Sequence, residues 1–456
     1  MSAMSREPVA SVLVLFGITG DLARRSLLPA LYRLAERGRL HIPVIGVTRR
    51  SWTDDDLRAH VRAALEDGVD EEVFAELASR LHVVDGDLTD PATYRRLCDA
   101  VADAPFVAHY MATPPTQFRT IADQLARAGL NHDARLVVEK PYGHDQASAR
   151  ALDEELHRAF GDEAIFRVDH YLGSESVRGL SVARFANPLI DAMLNRDFVD
   201  SIQITMAEDF DVSDRGSFYD PTGAVRDVVQ NHLMQILALL TMDPPSGRDA
   251  LSENVAKWEL LRAVRTIEPA DTVRGQYDGY PNIPGVHPDS TTETFVAARL
   301  WIDNWRWKDV PVFIRTGKCL PVTATEAIVR FKTPPVALYG RPEPNLFRFR
   351  LHKRHGLGLD VSVNRAEGHP AQTAAVPVHL TPMVSADLPY ENILEAAIVG
   401  DASAFASFPF IEESWRIVSR ILDTEESPRR YLPGTWGPDS AARLPGPAGW
   451  HRVAGA

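Results

Sequence analysis

The chain predicts an α/β domain with a doubly wound parallel sheet, followed by a large α+β domain with a mostly antiparallel sheet. Three observations carry this. Strand and helix segments alternate through the first part, as in a parallel sheet covered on both faces. The first strand runs into a glycine turn, Phe16–Leu22 (FGITGDL), that opens a helix. In the second part several strands instead alternate apolar with polar residues, the pattern of an antiparallel sheet with one solvated face.

The elements follow in order. Val12–Phe16 reads as a strand. Leu22–Glu36 reads as a helix, with Leu27, Leu28, Leu31 and Leu34 at helical spacing. Pro29 has no N–H and is expected to distort an early turn. Between the two, Gly17 and Gly20 let the backbone come close to a phosphate, and the helix N-terminus offers N–H groups and partial positive charge. The spacing is not GxGxxG, and such turns also occur without a ligand. A pyrophosphate is what the turn suits, so the first domain reads as Rossmann-like and dinucleotide-binding, with Gly17, Gly20, Asp21 and Leu22 at the cofactor. Val44–Thr48 reads as the second strand. An acid at its end would hold a ribose hydroxyl, whereas an arginine accommodates a 2′-phosphate. Gly46-Val47-Thr48-Arg49-Arg50 has no acid there, which favours NADP over NAD and points to Arg49. Further strands fall at Leu81–Val84, Phe106–Met111 and Leu136–Glu139, separated by helices at Tyr94–Val101 and Phe118–Ala128.

In the second part, strands are expected at Ser201–Met206, Phe295–Ile302, Val310–Ile314, Glu326–Phe331, Leu346–Leu351 and Leu359–Val363. Helices, including Asp227–Leu240, cover one face. Asp278–Thr292, with Pro281, Pro284 and Pro288, reads as a long loop. The division expected is 1–172 for the nucleotide domain and 173–456 for the substrate and oligomerisation domain.

Composition bounds the function. The chain has 456 residues, 45% hydrophobic and 24% charged, with a net charge of −13, as in an ordinary globular protein of two or three domains. That charge disfavours a nucleic-acid partner, which demands clustered Lys and Arg. Two cysteines, Cys98 and Cys319, make no CxxC or disulfide framework and suit a reducing cytoplasm. The N-terminus lacks the apolar stretch of a signal peptide, and no run is long enough to span a bilayer. No HExxH, Cys cluster or acidic loop points to a metal.

Three segments carry candidate chemistry. Val138–Gly143 (VEKPYG) ends a strand, where ligands of open α/β sheets bind, so Lys140 is a candidate, although a Lys-Pro is equally at home in a surface turn. Phe166–Ser174 (FRVDHYLGS) puts Asp169, His170 and Tyr171 in succession; some must face a pocket while others pack, or the segment is an interdomain hinge. Arg226–Leu240 is an apolar helix carrying His232, which is either a satisfied core residue or, with a carboxylate on one ring nitrogen, a base near neutral pH. Spacing alone does not pair His232 with Asp169.

In this order, GITGDLARRSLLPALYRL, VEKPYG, RVDHYLG, RFANPLIDAMLNRDFVDSIQIT, RDVVQNHLMQIL, TTETFVAARLWIDNWRW, VPVFIRTGK and YLPGTWGP resemble the glucose-6-phosphate dehydrogenase family over nearly the whole chain. The resemblance implies an NADP-dependent oxidoreductase of glucose metabolism in the pentose phosphate pathway, with NAD possible, acting on a sugar or sugar phosphate as a homodimer or homotetramer. It implies His232 as general base and Asp169 as its partner, with His170 and Tyr171 on the substrate phosphate. Lys140 would reach both sugar and nicotinamide. Glu208, Asp227 and Lys318 would bind the sugar, and Arg49 and Thr19 the adenosine 2′-phosphate. Two departures matter. Ser174 stands where the family has the lysine of HYLGKE, and Ser26 where it has a second active-site lysine. Each lost charge-assisted bond is worth roughly 1.5–3 kcal/mol. Arg178, on a continuing helix, would lie one turn from Ser174 and partly compensate. The departures leave open a substrate changed at C6, such as unphosphorylated glucose, and, from another class, a catalytically inactive cofactor-binding sensor or assembly subunit. At Ser407–Trp415 (SFPFIEESW) the family's charged segment is replaced, with no account from sequence.

Overall fold

The computed structural model describes residues 8–65, 68–213, 215–336, 338, 342–352, 356–364, 373–380, 389–422, 424 and 426–453. The chain forms two compact units. The first is Met1–Ser174 with Gly247–Asn254 and Leu388–Ile411; the second is Glu175–Ser246 with Val255–Asp387 and Glu412–Ala456.

In the first unit, strands β1 (Val12–Phe16), β2 (Val44–Thr48), β3 (Leu81–Asp85), β4 (Val107–Met111), β5 (Ala134–Val138) and β6 (Ile165–Val168) run parallel. A two-residue strand from late in the chain, β15 (Phe405–Ala406), adds antiparallel to β6 and completes the order β15-β6-β5-β4-β1-β2-β3. β1, β2, β4 and β5 are buried at every residue, as strands covered on both faces must be. The order reverses beside β1, and the crevice at the carboxyl ends of such strands is where ligands of this architecture bind. β6 is an addition to the sequence expectation.

The helix expected over Leu22–Glu36 forms in two parts. Ala23–Leu27 is π-helical, closed by Leu28 N–H to the Ala23 carbonyl, and Leu28–Glu36 is α-helical. Pro29 explains the join: it has no N–H for the Arg25 carbonyl, and the turn before it adopts the longer ring. Leu27, Leu28, Leu31 and Leu34 are all fully buried. The helix Pro389–Val399 packs into the same core through Ile393, Leu394 and Ala397. Arg135, itself buried, donates from Nη1 to the Ala397 carbonyl at 2.7 Å, and Ala10 N–H donates to Ile398 at 2.7 Å. A single division of the sequence assigns these residues to the second domain.

The second unit is built on nine strands: β7 (Val199–Ala207), β8 (Thr272–Tyr277), β9 (Phe295–Leu300), β10 (Val312–Gly317), β11 (Ala324–Phe331), β12 (Leu346–Arg350), β13 (Gly356–Asn364), β14 (Thr373–Leu380) and β16 (Arg429–Tyr431). Their order is β14-β13-β12-β11-β7-β10-β9-β8-β16, antiparallel except for the pairs β7–β10 and β8–β16. The alternation in β12 is realised: Phe347 and Phe349 are buried, while Arg348 reaches Asp360 of β13 at 3.1 Å. The expected helix Asp227–Leu240 forms as π-helical Val225–Leu233 continuing into α-helical Met234–Thr241. The proline-rich loop after β8 is pinned by Asp220, which accepts from Tyr280 Oη at 2.9 Å and His287 N–H at 3.1 Å; these and the Ser290 hydroxyl pull its carboxyl low. Among the described residues no helix is long and apolar enough to cross a membrane. Cys98 and Cys319 are both free.

Candidate active site

The glycine turn has the geometry its sequence suggests. Gly17 sits at φ +82°, and a Cβ there would lie 2.6 Å from the Ala112 carbonyl oxygen, so only glycine fits. Gly20 N–H closes the turn on Gly17 O at 2.9 Å, and the first helical bond is Arg24 N–H to Gly20 O at 3.0 Å. The N–H groups of Asp21, Leu22 and Ala23 therefore find no carbonyl among the described residues, which leaves an anion-binding end. Thr19 and Gly20 are half-buried beside it; Asp21 is exposed and pairs with Arg25 at 2.8 Å. Arg49, exposed, follows β2, whose buried Thr48 bonds Arg50 N–H and leaves no carboxylate at the strand end. These residues fit a dinucleotide with a 2′-phosphate.

At the carboxyl edge of the same sheet, Lys140 is half-buried and follows Glu139, a carboxyl 4% exposed. Tyr110 Oη, from β4, donates to Glu139 Oε1 at 2.5 Å, and Lys140 N–H to Oε2 at 3.3 Å. Burial pushes the Glu139 carboxyl up to about 7. On the other side, Tyr142 donates to Asp153 at 2.8 Å, and Arg167 bonds the same carboxylate at 2.6 Å. The Phe408 ring packs tilted against Tyr142, 6.2 Å between centroids and 55° between planes, so the altered segment gains an apolar role here. The Lys140 turn is thus anchored from both ends.

Val138 of β5 stands in register with Arg167 of β6, so the next strand end brings Asp169 to the same edge. Asp169 is 4% exposed and accepts from Tyr171 N–H at 3.1 Å, opening a 3₁₀ turn, His170–Gly173. The His170 ring stacks on Tyr390 of the helix Pro389–Val399, 5.6 Å between centroids and 14° between planes. Gly173 packs against that helix so tightly that a Cβ would meet Pro389 O at 2.3 Å, and Asn392 Nδ2 donates to Gly173 O at 2.8 Å. Ser174 is buried at 5% and extended at ψ 123°, so the helix that follows starts only at Glu175. The expected continuing helix through Ser174 and Arg178 is therefore not formed. Arg178 is exposed in the first turn of the new one.

In the second unit, Ala207 of β7 and Gly317 of β10 are in register, and Glu208 and Lys318 leave the two strands side by side. Lys318 Nζ bonds the Glu208 carboxylate and lies 3.7 Å from Asp227 Oδ2, with the Phe210 and Tyr219 rings against it. These three predicted residues come together, one buried cation among two half-buried anions. Asp227 and His232 share the π-helical segment. On an α-helix residues five apart would diverge by about 140°; the i→i+5 bonding of a π-helix draws them toward one line. His232 is 2% exposed, and its N–H meets Asn231 Oδ1 at 2.6 Å. Gln230 on the same segment donates to Ser414 Oγ at 2.8 Å, which gives the altered segment a polar role as well. The sequence singled out neither Glu139, Tyr110 and Tyr390 nor Phe210 and Tyr219. The Glu of Glu139-Lys140-Pro141 was the signal for the first; nothing local marks Tyr390.

A glycine turn with orphan amides on a parallel sheet, and a separate sheet bearing paired acids, a lysine and a histidine, define a dinucleotide-binding enzyme of two domains. Residues 14–179 match the family described as glucose-6-phosphate dehydrogenase, NAD binding domain, and residues 181–451 the corresponding C-terminal domain. The chain is 42% identical to glucose-6-phosphate 1-dehydrogenase 1 of Mycobacterium tuberculosis (strain CDC 1551 / Oshkosh), covering 97% of this chain and 96% of the relative. It is 43% identical to the crystal structure of glucose-6-phosphate 1-dehydrogenase from Mycobacterium avium, with a TM-score of 0.92 over 98% of this chain and 99% of that one. A structure described as glucose-6-phosphate dehydrogenase in complex with its substrate glucose-6-phosphate aligns with a TM-score of 0.91 at 28% identity, covering 98% and 99%. The chain belongs to the glucose-6-phosphate dehydrogenase family, and is an oxidoreductase with a nicotinamide-dinucleotide-binding domain.

Proposed function

We propose that this protein oxidises C1 of glucose 6-phosphate to the 1,5-lactone with NADP. The observation that carries the reading is the trio Glu208, Asp227 and Lys318, whose middle member shares a π-helical segment with buried His232. Two acceptors and a cation suit a ring of sugar hydroxyls. The relative solved with glucose 6-phosphate supports the substrate. Bound NADP supplies the hydride acceptor. His232 takes the proton of the C1 hydroxyl at a ring nitrogen, and Asp169 orients the imidazole and stabilises its charged form. Lys140 reaches sugar and nicotinamide. His170 and Tyr171 hold the 6-phosphate, and Thr19 and Arg49 the 2′-phosphate. These roles are carried over residue by residue from the family resemblance.

A second reading has the same chemistry on unphosphorylated glucose or a C6-modified hexose. Ser26 and Ser174 favour it. Ser26 lines a cavity of about 680 Å³ with Arg24, Arg25, Tyr390 and the paired Arg33 and Glu36, which offers room where the family has a lysine. For assembly, a homodimer or homotetramer is proposed; edge strand β14 exposes Val376, Val378 and Leu380, which a second copy would cover. Two free cysteines suit the cytoplasm.

Initial rates of NADPH formation with glucose 6-phosphate, glucose and C6-modified sugars test the reading. Efficient turnover of glucose 6-phosphate is expected. Weak turnover of it beside good turnover of another hexose replaces the first reading by the second. His232→Asn is expected to bind NADP normally and lose nearly all turnover. Unchanged turnover in that variant overturns the catalytic assignment, and absence of turnover in the parent with every sugar favours a cofactor-binding sensor.

A further inference from the structure

Glu139 has no part in the assignments above, yet it is placed to affect two of them. It leaves β5 beside the end of β6, next to Asp169, and immediately precedes Lys140. Its two oxygens are used by Tyr110 Oη at 2.5 Å and Lys140 N–H at 3.3 Å. The groups that face it are Tyr110 on β4, Lys140 on its own strand end and Asp169 after β6; Tyr390, on the helix Pro389–Val399, acts on Tyr110 from behind. A carboxyl in that setting is opposed by burial and, less, by a second carboxylate, and its charged form is stabilised by one phenol, one amide and the Lys140 charge.

We infer that Glu139, buried and held between Tyr110 and the Lys140 backbone, is a positioning residue that fixes Lys140 and adds a second ionisable group to the site. Its proton exchanges with solvent and its charge acts on Lys140 and Asp169; it touches neither sugar nor cofactor. As the proton leaves, a negative charge appears at the strand ends, supporting the lysine and the imidazolium that forms when His232 accepts its proton. Turnover therefore rises with two ionisations, one belonging to the base and one to Glu139. Burial, which pushes this carboxyl up to about 7, sets the second in the working range. The inference rests on the roles proposed for Lys140, Asp169 and His232.

The test is the pH profile of kcat for the full chain with its best sugar and NADP. In the parent the acid limb should approach a slope of two. Glu139→Gln keeps a partner for both Tyr110 and the amide, and should reduce the slope to one, with kcat lowered about tenfold and KM for NADP unchanged. Tyr110→Phe removes a donor that stabilises the charged form, and should move one ionisation upward; in the Glu139→Gln background it should move nothing. An infrared difference spectrum between pH 6 and pH 8 should show a protonated-carboxyl band that Glu139→Gln abolishes. A Glu139→Gln profile that keeps both ionisations, or Tyr110→Phe without a shift, overturns the inference. If Glu139→Gln does not fold, Tyr110→Phe alone decides. His232→Asn separates the two layers: a dead His232 variant with an unmoved Glu139 profile refutes only this inference, whereas an active one refutes the site on which it rests.

Discussion

Gly173→Ala asks how tightly the turn bearing His170 and Tyr171 is held. The added Cβ would lie 2.3 Å from the Pro389 carbonyl oxygen and 2.8 Å from Ile393 Cγ1. Ordinary contact begins near 3.4 Å, so turn and helix must part by roughly 1 Å, and one of the two obstacles is backbone. Overpacking of this kind costs about 1–3 kcal/mol. The bond from Asn392 Nδ2 to Gly173 O, 2.8 Å long, is stretched by the same movement and contributes about 1 kcal/mol more. The variant should lose about 2–4 kcal/mol in urea denaturation of the first unit. Because the His170–Tyr390 stack moves with the turn, KM for the sugar phosphate should rise several-fold while NADP affinity, set at the glycine turn, is unchanged. An alanine variant with parental stability and KM would refute the reasoning.

Arg49→Ala should lower kcat/KM for NADP about 10- to 100-fold, the worth of a charge-assisted phosphate contact, and leave NAD nearly unaffected; equal losses with both cofactors would remove Arg49 from the 2′-phosphate. Ser174→Lys should improve use of glucose 6-phosphate if the missing lysine limits it, as read from KM; no change counts against the specificity argument. Glu139 also links stability to pH. Its carboxyl is raised from 4.5 to about 7, so the folded state keeps a proton the unfolded chain has lost, and stability drains as pH rises through that window. Glu139→Gln should therefore gain stability relative to the parent between pH 5 and pH 8, by up to roughly 3 kcal/mol at 1.4 kcal/mol per tenfold. Denaturation at the two pH values checks it, and a difference independent of pH would contradict the buried ionisation.

Strands β1, β2, β4 and β5 were legible because they are short runs buried on both faces; β1 and β2 fall where their apolar residues do. β6 was not, since Ile165–Val168 is four residues with Arg167 among them. The join at Pro29 was legible from the missing N–H. The π-helix over Val225–Leu233 was not, because an apolar stretch has helical periodicity whether its bonds span four residues or five. Individual site residues stood in recognisable segments, but the meeting of Glu208 with Lys318 depends on β7 lying parallel to β10, a pairing between strands far apart in the chain that no local pattern encodes. The same holds for Tyr390: its place under His170 is decided by where a late helix packs.

That late helix has a consequence for synthesis. Pro389–Val399 and β15 supply buried residues and a sheet edge to a unit whose other strands end at Val168. A ribosome that has made the Lys140 turn and the Asp169 turn has not yet made Phe408 and Tyr390, whose rings pack against Tyr142 and His170. Until residues up to Ala406 emerge, β6 is an open edge and the His170 turn has no ring beneath it. The nucleotide unit thus starts early in the chain yet is not finished until residues near 411, and a chain cut after Ser174 would leave the apolar bed of Ile393 and Leu394 exposed to solvent or to chaperones.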